Sequence, residues 1–349
     1  MALSTIPFSG LGADASNQGV NFRNLIINGD MSIAQRGTST SGLGFGNAGY
    51  YTCDRWRSQT DTGTWTISQS TDVPTGQGFT NSFKMDCTSA GTANSDEVGI
   101  RYIMEGQHAQ HLAYGTSSAK SITISFWIKT NKTGTYTYSI RQNNSTENRL
   151  VGFNYTVDSA DTWEKKTFTF AGDTDYSIDN TNEEEFTSYW WFSTASAFRT
   201  GTVSNTWQNY NTANHASSSL AGLGGSTDDY VNITGVQLEV GTSASDFEFL
   251  PYDVNLRRCQ RYYQETQIGI YFDVVSGRNY GTNSNFHTQM RTTPSVISST
   301  TIDNNNRFNS GAINGSPFLS THGILAHKGA ILTSDAGYYQ TLVRVDAEL

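Results

Sequence analysis

The stretch NTWQNYNTANH, Asn205–His215, sets Trp207 and Tyr210 among amide side chains with no strand periodicity. Flat aromatic faces stack on the C–H faces of sugar rings, and amides bond to sugar hydroxyls. This mixture is therefore the chemistry of glycan recognition, and a loop is where such chemistry tends to reside. Two further tryptophans join the candidates. Trp127 lies on the polar side of SITISFWI, opposite Ile122, Ile124, Phe126 and Ile128. In SYWWF the candidate is Trp190: it and Trp191 point to opposite faces, so at least one should leave the core. The competing reading is that these aromatics cover a neighbouring subunit or a sheet edge. Trp65, which shares a face with Ile67, and Trp56 are expected in the core.

Metal and acid–base chemistry are weaker signals. DTDYSIDNTNEE places Asp173, Asp175, Asp179 and Glu184 at positions 1, 3, 7 and 12 of a calcium-loop pattern, but Ile178 stands where the loop needs glycine. No flanking helices are visible, so an EF-hand is rejected and a solvated acidic turn is the plainer reading. A looser structural calcium site at Asp173, Asp175 and Asp179 is the one cofactor left open. His108 and His111 in GQHAQH lack the glutamate of a zinc-protease helix and read as surface residues. GLGFG, Gly42–Gly46, neither follows a strand nor opens a helix, so it is no phosphate cradle. No GxSxG elbow or Cys–His pairing is legible. A polysaccharide depolymerase needs two carboxylates about 5–9 Å apart. The run Asp173–Glu185 could supply them, but the β-helical repeats of such spikes are missing. The chain is expected not to be an enzyme.

The elements that must position these residues are strands. Charged residues make up 15% of the 349-residue chain and aromatic ones 12%, while Thr, Ser, Asn and Gly abound, a composition suited to pleated surfaces. Net charge is −9, which argues against nucleic acid and against an anionic membrane surface. No run of about 18 apolar residues exists, so no membrane insertion is expected. MALSTIPFSG has neither the basic nor the apolar region of a secretory signal. Cys53, Cys87 and Cys259 are too scattered for a disulfide framework or a zinc site. From Phe22 onward period-two alternation dominates: Tyr136, Tyr138 and Ile140 share a face, as do Val151, Phe153, Tyr155 and Val157, and Phe168 and Phe170. Polar turns separate these runs at roughly 10–15 residues, the mark of an antiparallel sandwich or barrel. In YVNITGVQLEVG the apolar register switches from Val231 and Ile233 to Val236, Leu238 and Val240, which predicts a β-bulge at Gly235.

The fold class expected is all-β. An N-terminal docking arm covers residues 1–21, an antiparallel jelly-roll β-sandwich 22–252, a linker or short helix 253–265, and a second smaller β-sandwich domain 266–349. RRCQRYYQ, Arg257–Gln264, is a basic, tyrosine-rich island in an acidic chain. It follows Pro251 and reads as a seam whose arginines and tyrosines clamp the two β-domains together.

NLIINGDMSIAQRG (24–37), YTCDRWR (51–57), SITISFWIKT, DTWEKKTFTF, ITGVQLEVG and LRRCQRYYQ, followed by MRTTPSV and a terminal DAEL, come in an order that resembles bacteriophage tail-fibre and related appendage proteins. In those virion proteins a jelly-roll domain similar to carbohydrate-binding modules precedes a small β-rich tip. The resemblance covers roughly residues 22–300; coiled-coil heptads and triple β-helical shaft repeats are missing, so no long shaft is expected. It implies a homotrimer assembled in the host cytoplasm, mounted on the virion through its arm and touching a host surface glycan. The runner-up is a capsid fibre, decoration or connector protein with a purely architectural role.

Overall fold

The computed structural model describes residues 22–144, 148–273, 279–304, 318–329 and 336–349; the arm expected at 1–21 lies outside them. The chain is all-β, and its large body is an antiparallel sandwich of jelly-roll type. The first sheet runs in the order β1 (Ser39–Leu43), β4 (Thr64–Ser70), β5 (Ser82–Ser89), β13 (Tyr230–Val240), β7 (Ile122–Thr130), β10 (Glu164–Phe170). The second runs β12 (Gln208–Asn209), β9 (Asn148–Val157), β8 (Gly134–Asn143), β11 (Glu184–Ser193), β6 (Val98–Glu105), β3 (Arg57–Thr60), β2 (Gly49–Tyr50).

The two inner faces carry the alternating sets read from the sequence. Ile122, Ile124, Phe126 and Ile128 of β7 meet Tyr136, Tyr138 and Ile140 of β8 and Val151 and Tyr155 of β9, all buried in one core with Trp56 and Trp65. Aromatic pairs in tilted or edge-to-face contact add to area burial here. Strand β7 departs from a simple alternation, because Thr123 and Ser125 are buried too. A later segment crosses its outer face, and Thr123 Oγ1 donates to the carbonyl of Gly241 at 2.9 Å. The bulge expected at Gly235 is present: the pairing of β13 with β7 shifts register between Thr234 and Gln237, and Gly235 takes φ +60°.

Helix α1 (Tyr252–Gln260) follows, with Pro251 at its N-cap, Asp253 in its first turn and Arg257 and Arg258 in its last, the charge order a helix dipole favours. Its Cys259 and the following Tyr262 enter the large core. Beyond it lie two three-stranded sheets, β14 (Tyr263–Asp273), β19 (Ala336–Asp346), β16 (Ser295–Asn304) and β15 (Asn279–Asn285), β18 (Gly323–Gly329), β17 (Phe318–Leu319). Among the described residues their core comprises Ile268, Met290, Ile324, Val343, Val345 and Ala347.

A cluster of buried ions and rings joins this small unit to the large sandwich. Arg36 reaches Asp346 at 2.9 Å and Glu348 at 3.3 Å, and lies 4.0 Å above the Tyr263 ring. Fully buried Arg55 pairs with Glu348 and stacks 3.5 Å above Tyr262. Arg261 pairs with Glu105 at 2.8 Å, and the Arg291 N–H donates to the Arg261 carbonyl at 2.8 Å. Burial pushes the Asp54 carboxyl up to about 6, against the opposing pull of Arg36 and Gln35.

Candidate functional site

The outer face of the first sheet carries an aromatic cleft around Trp127. In β7 this residue sits between Lys165 of β10 and Thr234 of β13, its neighbours across the two ladders. Beside it the Gly235 bulge takes a left-handed backbone conformation. A Cβ there would lie 2.5 Å from the Phe79 ring and 3.0 Å from Trp127 Cδ1, so glycine is required for both rings to close on the sheet. Phe79 arrives on a turn whose Gly78 also has positive φ, with Phe249 packed 3.1 Å from where a Cβ would stand.

The opposite wall is the segment after β13, fixed by polar contacts. Ser245 donates to both oxygens of Glu239, from N at 2.8 Å and from Oγ at 2.6 Å. Gln237 Nε2 donates to the Asp246 carbonyl at 3.2 Å, and the Glu248 N–H donates to Gln237 Oε1 at 2.8 Å. The Glu248 carboxylate in turn accepts from the backbone N–H groups of Phe22 and Asn24, each at 3.0 Å. So held, the segment presents Phe247 and Phe249 to Phe79, with ring centroids 4.9–5.2 Å apart. The result is a cleft of about 330 Å³ lined by Trp127, Phe79, Phe247 and Phe249 together with Lys165, Asp246 and Gln77. Phe249 is 49% exposed and Trp127 half-buried. Apolar ring faces beside a cation, a carboxylate and an amide form the mixed surface that a sugar ring requires.

The four aromatics singled out in the sequence do not converge. Trp127 alone enters this cleft. The expectation that Trp190 leaves the core is corrected: its ring is fully buried between the sheets, 4.8 Å from Tyr138, 5.5 Å from Trp56 and 5.9 Å from Phe126. Trp191 does point the other way, yet it is buried as well, because the 195–220 segment folds back over the outer face of the second sheet. There Trp191 stacks parallel on Tyr189 with centroids 5.0 Å apart, and His215 from the returning segment meets both rings edge-on. Burial lowers the His215 imidazole to about 3, with Arg141 and Arg101 pushing the same way. Tyr210 is half-buried against His215, with the Arg141 guanidinium 4.1 Å above its ring. Trp207 turns inward instead, edge-on to Tyr114, with its indole N–H donating to the Ala171 carbonyl at 3.0 Å.

The acidic run is organised around a guanidinium, a partner that competes with a cation for Asp173 and Asp175. Asp173 is buried and accepts from Arg149 Nε at 2.8 Å, while Asp175 lies 3.5 Å from the same guanidinium. Asp179 offers its backbone N–H to Glu185 at 3.2 Å, and Glu184 accepts from Thr187 at 2.6 Å. Among the described residues no three His, Cys, Asp or Glu side chains converge as a metal set.

Phe79, Phe247 and Phe249 were missed from the sequence. The signal for the last two was the FEFLP stretch, Phe247–Pro251, where two phenylalanines two apart share a face seven residues after β13 ends.

No protein-family model matches this chain, and no curated protein matches it. Among solved structures it is similar to the enzymatically active domain of tailspike protein 4 of bacteriophage CBA120, with 13% identity over 63% of this chain and a TM-score of 0.34. That match spans 22% of the tailspike chain. A putative sugar binding protein from Bacteroides thetaiotaomicron matches at 12% identity, covering 62% of this chain and 100% of its own, with a TM-score of 0.32. A xylan-binding domain from Paenibacillus barcinonensis matches at 11% identity, covering 54% and 92%, with a TM-score of 0.30.

Proposed function

We propose that this chain is a non-enzymatic carbohydrate-binding protein of a bacteriophage particle, a trimeric tail fibre or spike that attaches to a host surface glycan. The observation that carries the binding reading is the cleft in which Trp127, Phe79 and Phe249 stand beside Lys165, Asp246 and Gln77. The virion setting and the trimer rest on the ordered motifs from NLIINGDMSIAQRG to LRRCQRYYQ. A shallow aromatic cleft grips a single chain weakly. Three subunits and many copies per particle multiply that grip, by about 10²–10⁴ in avidity.

The test is binding of the labelled, purified protein to host cells or immobilised host glycans. Trp127→Ala is expected to lower binding at least about tenfold, or about 1.4 kcal/mol per site, while the melting temperature stays within a few degrees because the ring is only half-buried. Unchanged binding would remove the cleft from this role. The architectural reading draws on Phe249, whose exposed ring a neighbouring subunit could cover. It gains if the protein assembles on particles yet never binds cells.

A further inference from the structure

Two stretches outside the Trp127 cleft come together in space. GQHAQH folds into two 3-10 turns, Gly106–His108 and Gln110–Leu112. RRCQRYYQ supplies Arg258 from the last turn of α1 and Arg261 just beyond it. Between them opens a second cleft, of about 290 Å³, lined by these two histidines and two arginines and by Phe22, Leu25 and Ile27.

Its walls differ in chemistry. Leu25 and Ile27 form an apolar floor, and the Phe22 ring, 54% exposed, forms a lip with the Arg258 guanidinium 5.8 Å from its centroid. On the other side the two arginines are not equivalent. Arg261 donates to both oxygens of buried Glu105, at 3.1 and 2.8 Å, so its charge is matched. Arg258 makes only a 3.3 Å bond to the Asn24 carbonyl, and no carboxylate lies within 4.0 Å of it among the described residues. An unmatched guanidinium facing a cleft has donors free for an anion. An apolar floor and an aromatic lip are superfluous for a bare ion but complement a ring.

We propose that this cleft binds an acidic sugar, its carboxylate on Arg258 and its C–H face on Phe22 and Leu25. The site is separate from the Trp127 cleft and does not depend on it. The histidines give the site a pH dependence of known sign. Burial holds both imidazoles below their ordinary range. Arg261, Arg258 and Arg55 push His108 down further while Glu105 opposes them, and Lys120 acts on His111. A bound carboxylate favours the protonated imidazole, so the complex takes up protons and binding tightens as pH falls.

The experiment is ligand-observed NMR titration of the full chain with glucuronate, with neutral glucose, and with inorganic phosphate at matched ionic strength, at pH about 7.5 and about 5.5. Glucuronate is expected to bind at least about threefold more tightly at the lower pH, with glucose and phosphate each about tenfold weaker than glucuronate. Arg258→Ala should cost about tenfold and Arg258→Lys much less. The double variant His108→Gln/His111→Gln should keep the affinity at the higher pH and lose the dependence; it also serves if Arg258→Ala fails to fold. Trp127→Ala should leave glucuronate binding unchanged. Glucuronate that fails to bind up to about 20 mM overturns the proposal. So does glucose binding equally well, and phosphate matching glucuronate would reassign the cleft to bare anions.

Discussion

The two outer faces of the large sandwich begin from similar materials and end differently. On the first sheet Trp127, with Phe79, Phe247 and Phe249, borders an open cleft beside Lys165 and Asp246. On the second, Tyr189 and Trp191 form a parallel pair under Arg101, whose guanidinium lies 5.0 and 5.8 Å from their centroids. The 195–220 segment closes that second face, leaving Trp191 1% and Tyr189 7% exposed. Exposure of an aromatic pair is thus decided by what returns across the strand. An open aromatic cleft and a satellite core can share one composition.

Three changes probe this contrast, in descending order of effect. Trp191→Ala should destabilise the fold by about 3–5 kcal/mol, the usual cost of emptying a buried tryptophan site, and leave glycan binding by the folded fraction unchanged. Chemical denaturation measures this; a loss under about 1 kcal/mol would mean the second face is not sealed.

The second change uses His215. The folded protein keeps this imidazole neutral down to about pH 3, whereas the unfolded chain protonates it near the ordinary histidine value of 6.5. Its contribution to stability is therefore present above about 6.5 and is lost as pH falls toward 3. Between pH 6.5 and 4.5 the native protein should lose about 2–3 kcal/mol relative to His215→Gln. Parallel stability curves for the two proteins would place water, not aromatic rings, around His215.

The smallest effect belongs to Tyr210→Phe. It removes a hydroxyl that accepts from Thr212 at 3.2 Å in a half-buried setting. A change within about 0.5 kcal/mol is expected, with unaltered glycan binding. A tenfold fall in binding would transfer the site from the first face to the second.

Much of the sandwich was legible because its signal is local. Alternation assigned Ile122 to Ile128 and Tyr136 to Ile140 to the interior, and the register switch at Gly235 located the bulge. The site was less legible because exposure is a non-local property. That Trp190 and Trp191 point to opposite faces was legible, but nothing near them announced which one faced the core or that residues 195–220 would cover the other. Asp173 looked like an ion ligand at calcium-loop spacing, yet its partner Arg149 is 24 positions away in the chain. Trp127 could be placed on the polar face, whereas the rings that make it a cleft arrive from Phe79 and from Phe247 and Phe249, on segments far from it in sequence.

The cluster that ties Arg36 and Arg55 to Glu348 also sets a path for mechanical load. It joins positions 312 apart in the chain at Arg36 and 293 apart at Arg55. Nearly the whole of both sandwiches thus hangs as a closed loop between its two ends. A pull between Arg36 and Glu348 runs across a handful of ion pairs before it reaches most of the strands in the loop between them. For a protein tethered at one point and tugged at another, the site of first failure is then separate from the Trp127 cleft.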